Sequence, residues 1–199
     1  MNEDEWFTEI DFTRHVRFAE SRVSARKWRL LAAAFCRTVL HLHCESHLHR
    51  AVETAEEFVD GNGTLQELEG YRQQCRETAI QAHEEWVRFA EVKTGEALKC
   101  WLLAELAWAT SYVATTPVSV EAVSQKVAGI TIQARTGDSG VIRLQFGATP
   151  ATHQNLTVAE NREFRALVWD VVGNPFTPVR FRPDWRTSTT TALARGMYR

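Results

Sequence analysis

The chain reads as mainly α, a helical bundle of about five helices with a small β-hairpin inserted near residues 129–147. Three observations predict this. Apolar side chains recur at three- and four-residue steps from about residue 24 to residue 115, the repeat that lines one side of a helix. Stop and start signals fall between the repeats, at Ser24, at Asp60-Gly61-Asn62-Gly63 and at Thr115-Thr116-Pro117. Seven Trp and ten Phe supply large side chains for an interior. At 199 residues the length fits one domain, with the helical core over about 24–115, the hairpin over 129–147, a further helix over 157–172 and a basic tail over 173–199.

The first helix begins at Ala25 behind a Ser24 cap and carries Trp28, Leu31, Phe35, Thr38 and Leu42 along one side. A second starts near Ser46 with Leu48, Val52, Ala55 and Val59, and ends at Asp60-Gly61, where glycine accepts the positive φ of a helix terminus. These two form a helical hairpin. Thr64 with Glu67 fits a capping box that opens a long third helix through Leu68, Tyr71, Cys75, Ala79, Ala82, Trp86 and Phe89. Gly95 interrupts the pattern. Beyond it Ala97, Trp101, Ala104, Trp108 and Tyr112, flanked by Leu98, Leu102 and Leu106, make a fourth helix apolar over most of its circumference and therefore central.

Pro117 ends that helix, because proline removes a donor and disfavours helix in the residue before it. The alternation in Ile130-Thr131-Ile132-Gln133-Ala134 and in Val141-Ile142-Arg143-Leu144-Gln145-Phe146, around the turn composition of Arg135-Thr136-Gly137-Asp138-Ser139-Gly140, predicts the hairpin. A lone hairpin is marginal, so it must pack on the helices or pair through its edge. From Thr157 to Val172 the helical period returns with Phe164, Leu167, Val168 and Val171, and Gly173-Asn174-Pro175 stops it.

A formal net charge of -2 gives no global field toward nucleic acid or an anionic membrane. No run approaches the roughly 20 apolar residues that a membrane span requires. The acidic start, Met1-Asn2-Glu3-Asp4-Glu5, is the opposite of a secretory signal, so a cytoplasmic location is expected. Cys36, Cys44, Cys75 and Cys100 are scattered without a Cys-x-x-Cys pair and are read as free thiols.

Ligand chemistry concentrates in His41-Leu42-His43-Cys44-Glu45-Ser46-His47-Leu48-His49, which holds four of the seven histidines. Zinc wants about four N or S ligands converging tetrahedrally, and His43 and His47 are spaced for one helical face. The change of apolar phase at Ser46 argues instead for a turn, which makes the cluster a polar helix junction. His43, Cys44, His47 and His49, with His41, thus remain candidates for metal, and no cofactor is expected. Other catalytic frames fail by inspection: Glu-x-x-His and His-Glu-x-x-His are absent, as are the glycine-rich phosphate cradles and Gly-x-Ser-x-Gly. The tail is basic, with Arg180, Arg182, Arg186, Arg195 and Arg199 against Asp184, and Trp185 sits among them. Arginine with an aromatic suits a protein interface, and it also grips phosphates and stacks on bases.

Two blocks carry a likeness to other proteins. The first is Glu5-Trp6, Arg26-Lys27-Trp28-Arg29-Leu30-Leu31-Ala32, Cys36-Arg37, His41-Leu42, Arg50-Ala51-Val52-Glu53, Ala55-Glu56 and Asp60-Gly61; the second is Gly173-Asn174-Pro175-Phe176, Pro178-Val179, Trp185, Leu193-Ala194 and Tyr198. Together they resemble a family of uncharacterised bacterial proteins, abundant as paralogues in some large genomes, over about half the chain. That resemblance implies a helical fold and no catalytic residue. Of the histidine cluster only His41 has a counterpart in the family pattern, which argues against a family-wide metal site. The Trp-rich helix and the hairpin depart from the alanine-rich middle of that family, whose members also continue well beyond the position of Tyr198.

The function expected is that of a non-enzymatic cytoplasmic protein-binding or regulatory module with a protein partner or a second copy of itself, using Arg180, Arg182, Trp185 and Arg186. The alternatives are a zinc enzyme or sensor built on His41–His49, and a nucleic-acid-binding accessory protein acting through the basic tail. A membrane partner is not expected.

Overall fold

A computed structural model describes residues 1–90, 95–136 and 156–177. Among these residues eight α-helices occur: α1 (Glu3–Thr8), α2 (Phe12–Ala19), α3 (Ala25–Val39), α4 (Ser46–Val59), α5 (Leu65–Ala90), α6 (Gly95–Val113), α7 (Val120–Thr136) and α8 (Val158–Val172). A single 3-10 turn, Leu40–Leu42, follows α3. The protein is mainly helical, as its periodicity predicts.

Polar side chains start α3, α5 and α8, whereas α4 has no side-chain cap. Ser24 accepts from Lys27 N at 3.4 Å to open α3, and Thr64 and Glu67 form the expected capping box, with Glu67 N on Thr64 Oγ1 at 3.2 Å and Thr64 N on Glu67 Oε2 at 2.9 Å. Thr157 and Glu160 repeat that box at α8. The α4 terminus turns through Gly61 at φ 79°, a left-handed conformation that glycine adopts without penalty. Gly63, two residues on, leaves no room for a side chain, since a Cβ there would stand 2.9 Å from Phe58 N.

Two helices organise the bundle. α3 packs against α4, α6, α7 and α8, and α6 against α3, α4, α5 and α7. The apolar girth of α6 is used unevenly: Ala104, Leu106, Ala107, Ala109 and Val113 are buried, whereas Leu98, Trp101, Leu102 and Leu103, nearer its start, are half-buried. At the opposite side of α3, Phe12 of α2, Phe35 of α3 and Phe164 of α8 form a ring cluster with centroid separations of 5.7, 5.0 and 5.7 Å. Each such ring contributes about 1.5–3 kcal/mol through burial alone.

The hairpin expected near 129–147 is corrected. Ile130–Ala134 lies inside α7, which runs unbroken from Val120 to Thr136, and no strand occurs among the described residues. Val120, Val123, Val127 and Ile130 stand three and four residues apart and are all buried, so the longer window carries the helical period that the short Ile-Thr-Ile alternation hides. Thr131 is accommodated by donating from Oγ1 to Val127 O at 2.9 Å. Arg135 and Thr136, expected in the turn, belong to α7 as well. Residues 137–155, with the second expected strand at 141–146, lie outside the described residues.

The helix count is also corrected, partly because two short helices precede Ala25. Asn2 accepts from Glu5 N at 2.8 Å while Glu5 accepts from Asn2 N at 2.9 Å, a capping box for α1. Asp11 caps α2 through Thr13 N at 2.9 Å. Trp6, Phe12, Val16 and Ala19 are the buried side of this pair.

Candidate functional site

The turn expected at Ser46 is present, since α3 passes through the 3-10 turn at Leu40–Leu42 and α4 begins at Ser46. That break sends the histidines in different directions. His41 and Cys44 are exposed. His47 pairs through Nε2 with Thr78 Oγ1 of α5 at 2.8 Å, and its Nδ1 stands 3.9 Å from Glu45. His49 donates from Nε2 to the backbone carbonyl of His43 at 3.3 Å. His43 is half-buried with its Nε2 enclosed and unpartnered, and burial holds its ionisation below the usual histidine value, with the Glu45 charge opposing. Among the described residues no three His, Cys, Asp or Glu side chains gather in a way that would hold a metal ion. Of the cluster, His47 ties the α3–α4 junction to α5 and His49 ties it to itself.

Arg180, Arg182, Trp185 and Arg186 lie outside the described residues. The basic group at the start of α3 is described, and it is spent inside the fold. Arg26 reaches Asp60 at the end of α4 at 2.7 Å, and Lys27 donates from Nζ to the Val172 carbonyl at the end of α8 at 2.8 Å, where a cation complements the helix dipole.

Arg29, which the sequence reading does not separate from that basic run, is the most enclosed cation described, 6% exposed. It donates from Nη2 to Thr115 O at 2.9 Å and to Thr116 Oγ1 at 3.2 Å, and its guanidinium lies 4.9 Å from the Phe58 ring centre. Burial lowers its ionisation from the usual arginine value. Its one sequence signal is helical phase: Arg29 stands three and four residues before Ala32 and Ala33, both buried, and so shares their side of α3. Beyond Thr115 and Thr116 an open cleft of about 460 Å³ is lined by Leu65, Glu69, Arg72, Ala114, Thr115 and Thr116. Arg72 and Glu69 are paired with each other there, so the cleft presents no free cation or carboxylate of theirs to a ligand.

The remaining feature is an arm. α5 has 26 residues, roughly 39 Å at 1.5 Å per residue, and its main neighbours are α4 and α6. Cys100 near the start of α6 reaches Glu85 near the end of α5 at 3.7 Å, which marks the two helices as antiparallel. Toward the carboxy-terminal end of α5 the apolar cover thins: Ile80 is 42% exposed, Val87 55% and Phe89 39%. Ile80 and Val87 are seven residues apart and share one face of the helix.

No family model, curated protein or solved structure matches this chain. No helix among the described residues is long and apolar enough to cross a membrane.

Proposed function

We propose that this chain is a non-enzymatic, cytoplasmic protein-binding module, and that the α5–α6 arm is the surface it offers. The observation that carries this reading is the exposed pair Ile80 and Val87 on one face of a helix whose other face already has α6 for a partner. Large apolar side chains on an extended helical face favour a second helix laid alongside them. The charged groups of the described residues support the same reading, since Arg26, Arg37, Arg50 and Arg72 each hold a carboxylate of the fold rather than converging on a pocket. Four free thiols suit a reducing compartment. The likeness to the paralogue-rich bacterial family adds a helical scaffold with no catalytic residue.

The test is size-exclusion chromatography with light scattering, plus retention of partners from the native host, for the wild type and for Ile80→Glu/Val87→Glu. A partner or second copy held by the wild type and lost by the double variant, at unchanged helicity, is the expected result. A strict monomer that retains nothing removes the proposal.

A further inference from the structure

The buried side of α5 carries Leu68, Cys75, Ala79 and Ala82. Its opposite side runs through Gln73, Ile80 and Val87, spaced at seven residues, with Arg76 four residues before Ile80 and Glu84 four residues after it. All five of these are exposed. The neighbouring helices reach α5 elsewhere, α4 at Thr78 and α6 at Glu85. Arg76 and Glu84 also differ from the paired charges of the bundle, because neither enters an ion pair among the described residues. The face thus reads basic, apolar, acidic about Ile80.

A strip with that order is complementary to itself when turned end for end. A parallel copy in register would set Arg76 on Arg76 and Glu84 on Glu84, whereas an antiparallel copy sets each on its opposite. We infer that α5 pairs with α5 of a second copy of this chain, antiparallel, about a twofold axis at Ile80. The pairing rests on the α5–α6 arm being the protein-binding surface and names its occupant. The contact is isologous, so every interaction away from the axis occurs twice. Arg76 of each copy stands level with Glu84 of the other, and the two Ile80 side chains meet at the axis. Val87 comes level with Gln73 of the other copy, whose amide donates to Glu77 Oε1 at 2.8 Å and leaves its aliphatic stem for contact. Removing Ile80 and Val87 from water drives the association, and the paired charges fix its direction and register. An unlike helix would need the complementary order only once. The even spacing of opposite charges about one apolar residue is what a second copy requires.

The experiment is sedimentation equilibrium of the full chain over a concentration series, at low and high salt, for the wild type, Arg76→Glu, Glu84→Arg and the double exchange. Circular dichroism of each checks that helicity is retained. The wild type is expected to dimerise. Each single exchange turns two attractive pairs into two repulsive ones and should weaken the dimer about tenfold, while the double exchange should return to within about threefold of the wild type. An equimolar mixture of the two single variants, in which opposite charges again stand level, should associate more tightly than either alone. The gap between wild type and single variants should narrow in high salt. Single variants that dimerise as the wild type does, or a double exchange that recovers nothing, overturn the pairing at Ile80. So does a wild type that stays monomeric at its highest soluble concentration. If that monomer retains a different protein through Ile80 and Val87, the arm remains a binding surface and only the second copy is wrong; if it retains nothing, both readings fall.

Discussion

Arg37 and Glu56 meet as a bidentate pair across the α3–α4 hairpin, Nε on Oε1 at 2.8 Å and Nη2 on Oε2 at 2.5 Å. The Glu56 carboxylate raises the guanidinium's ionisation above the usual arginine value. Arg26 with Asp60 lies along the same hairpin at 2.7 Å, and Arg50 with Glu53 at 2.6 Å on α4. All six residues lie on α3, on α4 or at the turn that ends α4. The α3–α4 hairpin therefore uses these charges in pairs within itself.

The pair is half-open to water, with side-chain exposures of 48% and 30%, so solvent screening limits what it contributes. A double-mutant cycle with Arg37→Ala and Glu56→Ala, read by urea unfolding, is expected to give a coupling of about 0.5–1 kcal/mol that shrinks in high salt. A coupling above about 2 kcal/mol, insensitive to salt, would be the signature of a buried pair and contradict this geometry.

Two glycines should respond to alanine with opposite signs. Gly173 ends α8 at φ 77° and ψ -162°, a region open essentially to glycine alone. Gly173→Ala is expected to destabilise by about 1–3 kcal/mol although no atom obstructs the added methyl. Gly70 lies inside α5 with open space around its Cα, and Gly70→Ala is expected to stabilise by about 0.5–1 kcal/mol. Thermal unfolding of both variants checks the pair, and equal shifts in the same direction would refute it.

Thiol reactivity should separate Cys44 from Cys36 and Cys75. Cys36 and Cys75 are fully buried; burial pushes the Cys36 thiol far above its ordinary value and the Cys75 thiol up to about 11, against a hydrogen bond with the Thr110 side chain that works to lower it. Cys44 is exposed. Because the thiolate is the nucleophile, an aromatic disulfide reagent at neutral pH should modify Cys44 first and reach Cys36 and Cys75 only when urea unfolds the chain. Mass spectrometry of the partly labelled protein assigns the sites, and early labelling of Cys36 would mean that the α3 interface opens far more readily than its packing implies.

Helix starts and the α3–α4 hairpin are legible in the sequence because Ser24, Thr64 with Glu67, and Asp60-Gly61 each carry their meaning within four residues of the chain. The short helices α1 and α2 use the same devices, Asn2 with Glu5 and Asp11 with Thr13, but they bury too few residues for a period to show. α7 misleads for a different reason. Where a helix is enclosed on several sides, as at Val127, Ala128, Ile130 and Ile132, apolar residues fall on adjacent faces and a local alternation arises within a helical pattern. Helical phase puts Arg29 on the inner side of α3, but the partners that enclose Arg29 and His15 are not legible. They are Thr115 of the segment after α6 and the carbonyl of Trp6, which only the tertiary fold brings to them.

Acid should weaken the α3–α4 junction through His43. Burial disfavours its charged form in the fold, so its folded value lies below the roughly 6.5 of the unfolded chain. Between those two values the unfolded state binds more protons, and stability must rise with pH across that interval. The contribution is therefore complete above about pH 6.5, erodes as the pH falls through that value, and stops changing once the folded ring also takes its proton. Other titrating groups contribute to the wild-type profile, so the effect of His43 is read as a difference. Urea midpoints for the wild type and His43→Gln over the same pH series isolate it: the difference between the two curves should widen toward neutral pH and narrow in acid. Parallel curves would mean that the enclosed Nε2 of His43 is as readily protonated in the fold as in the open chain.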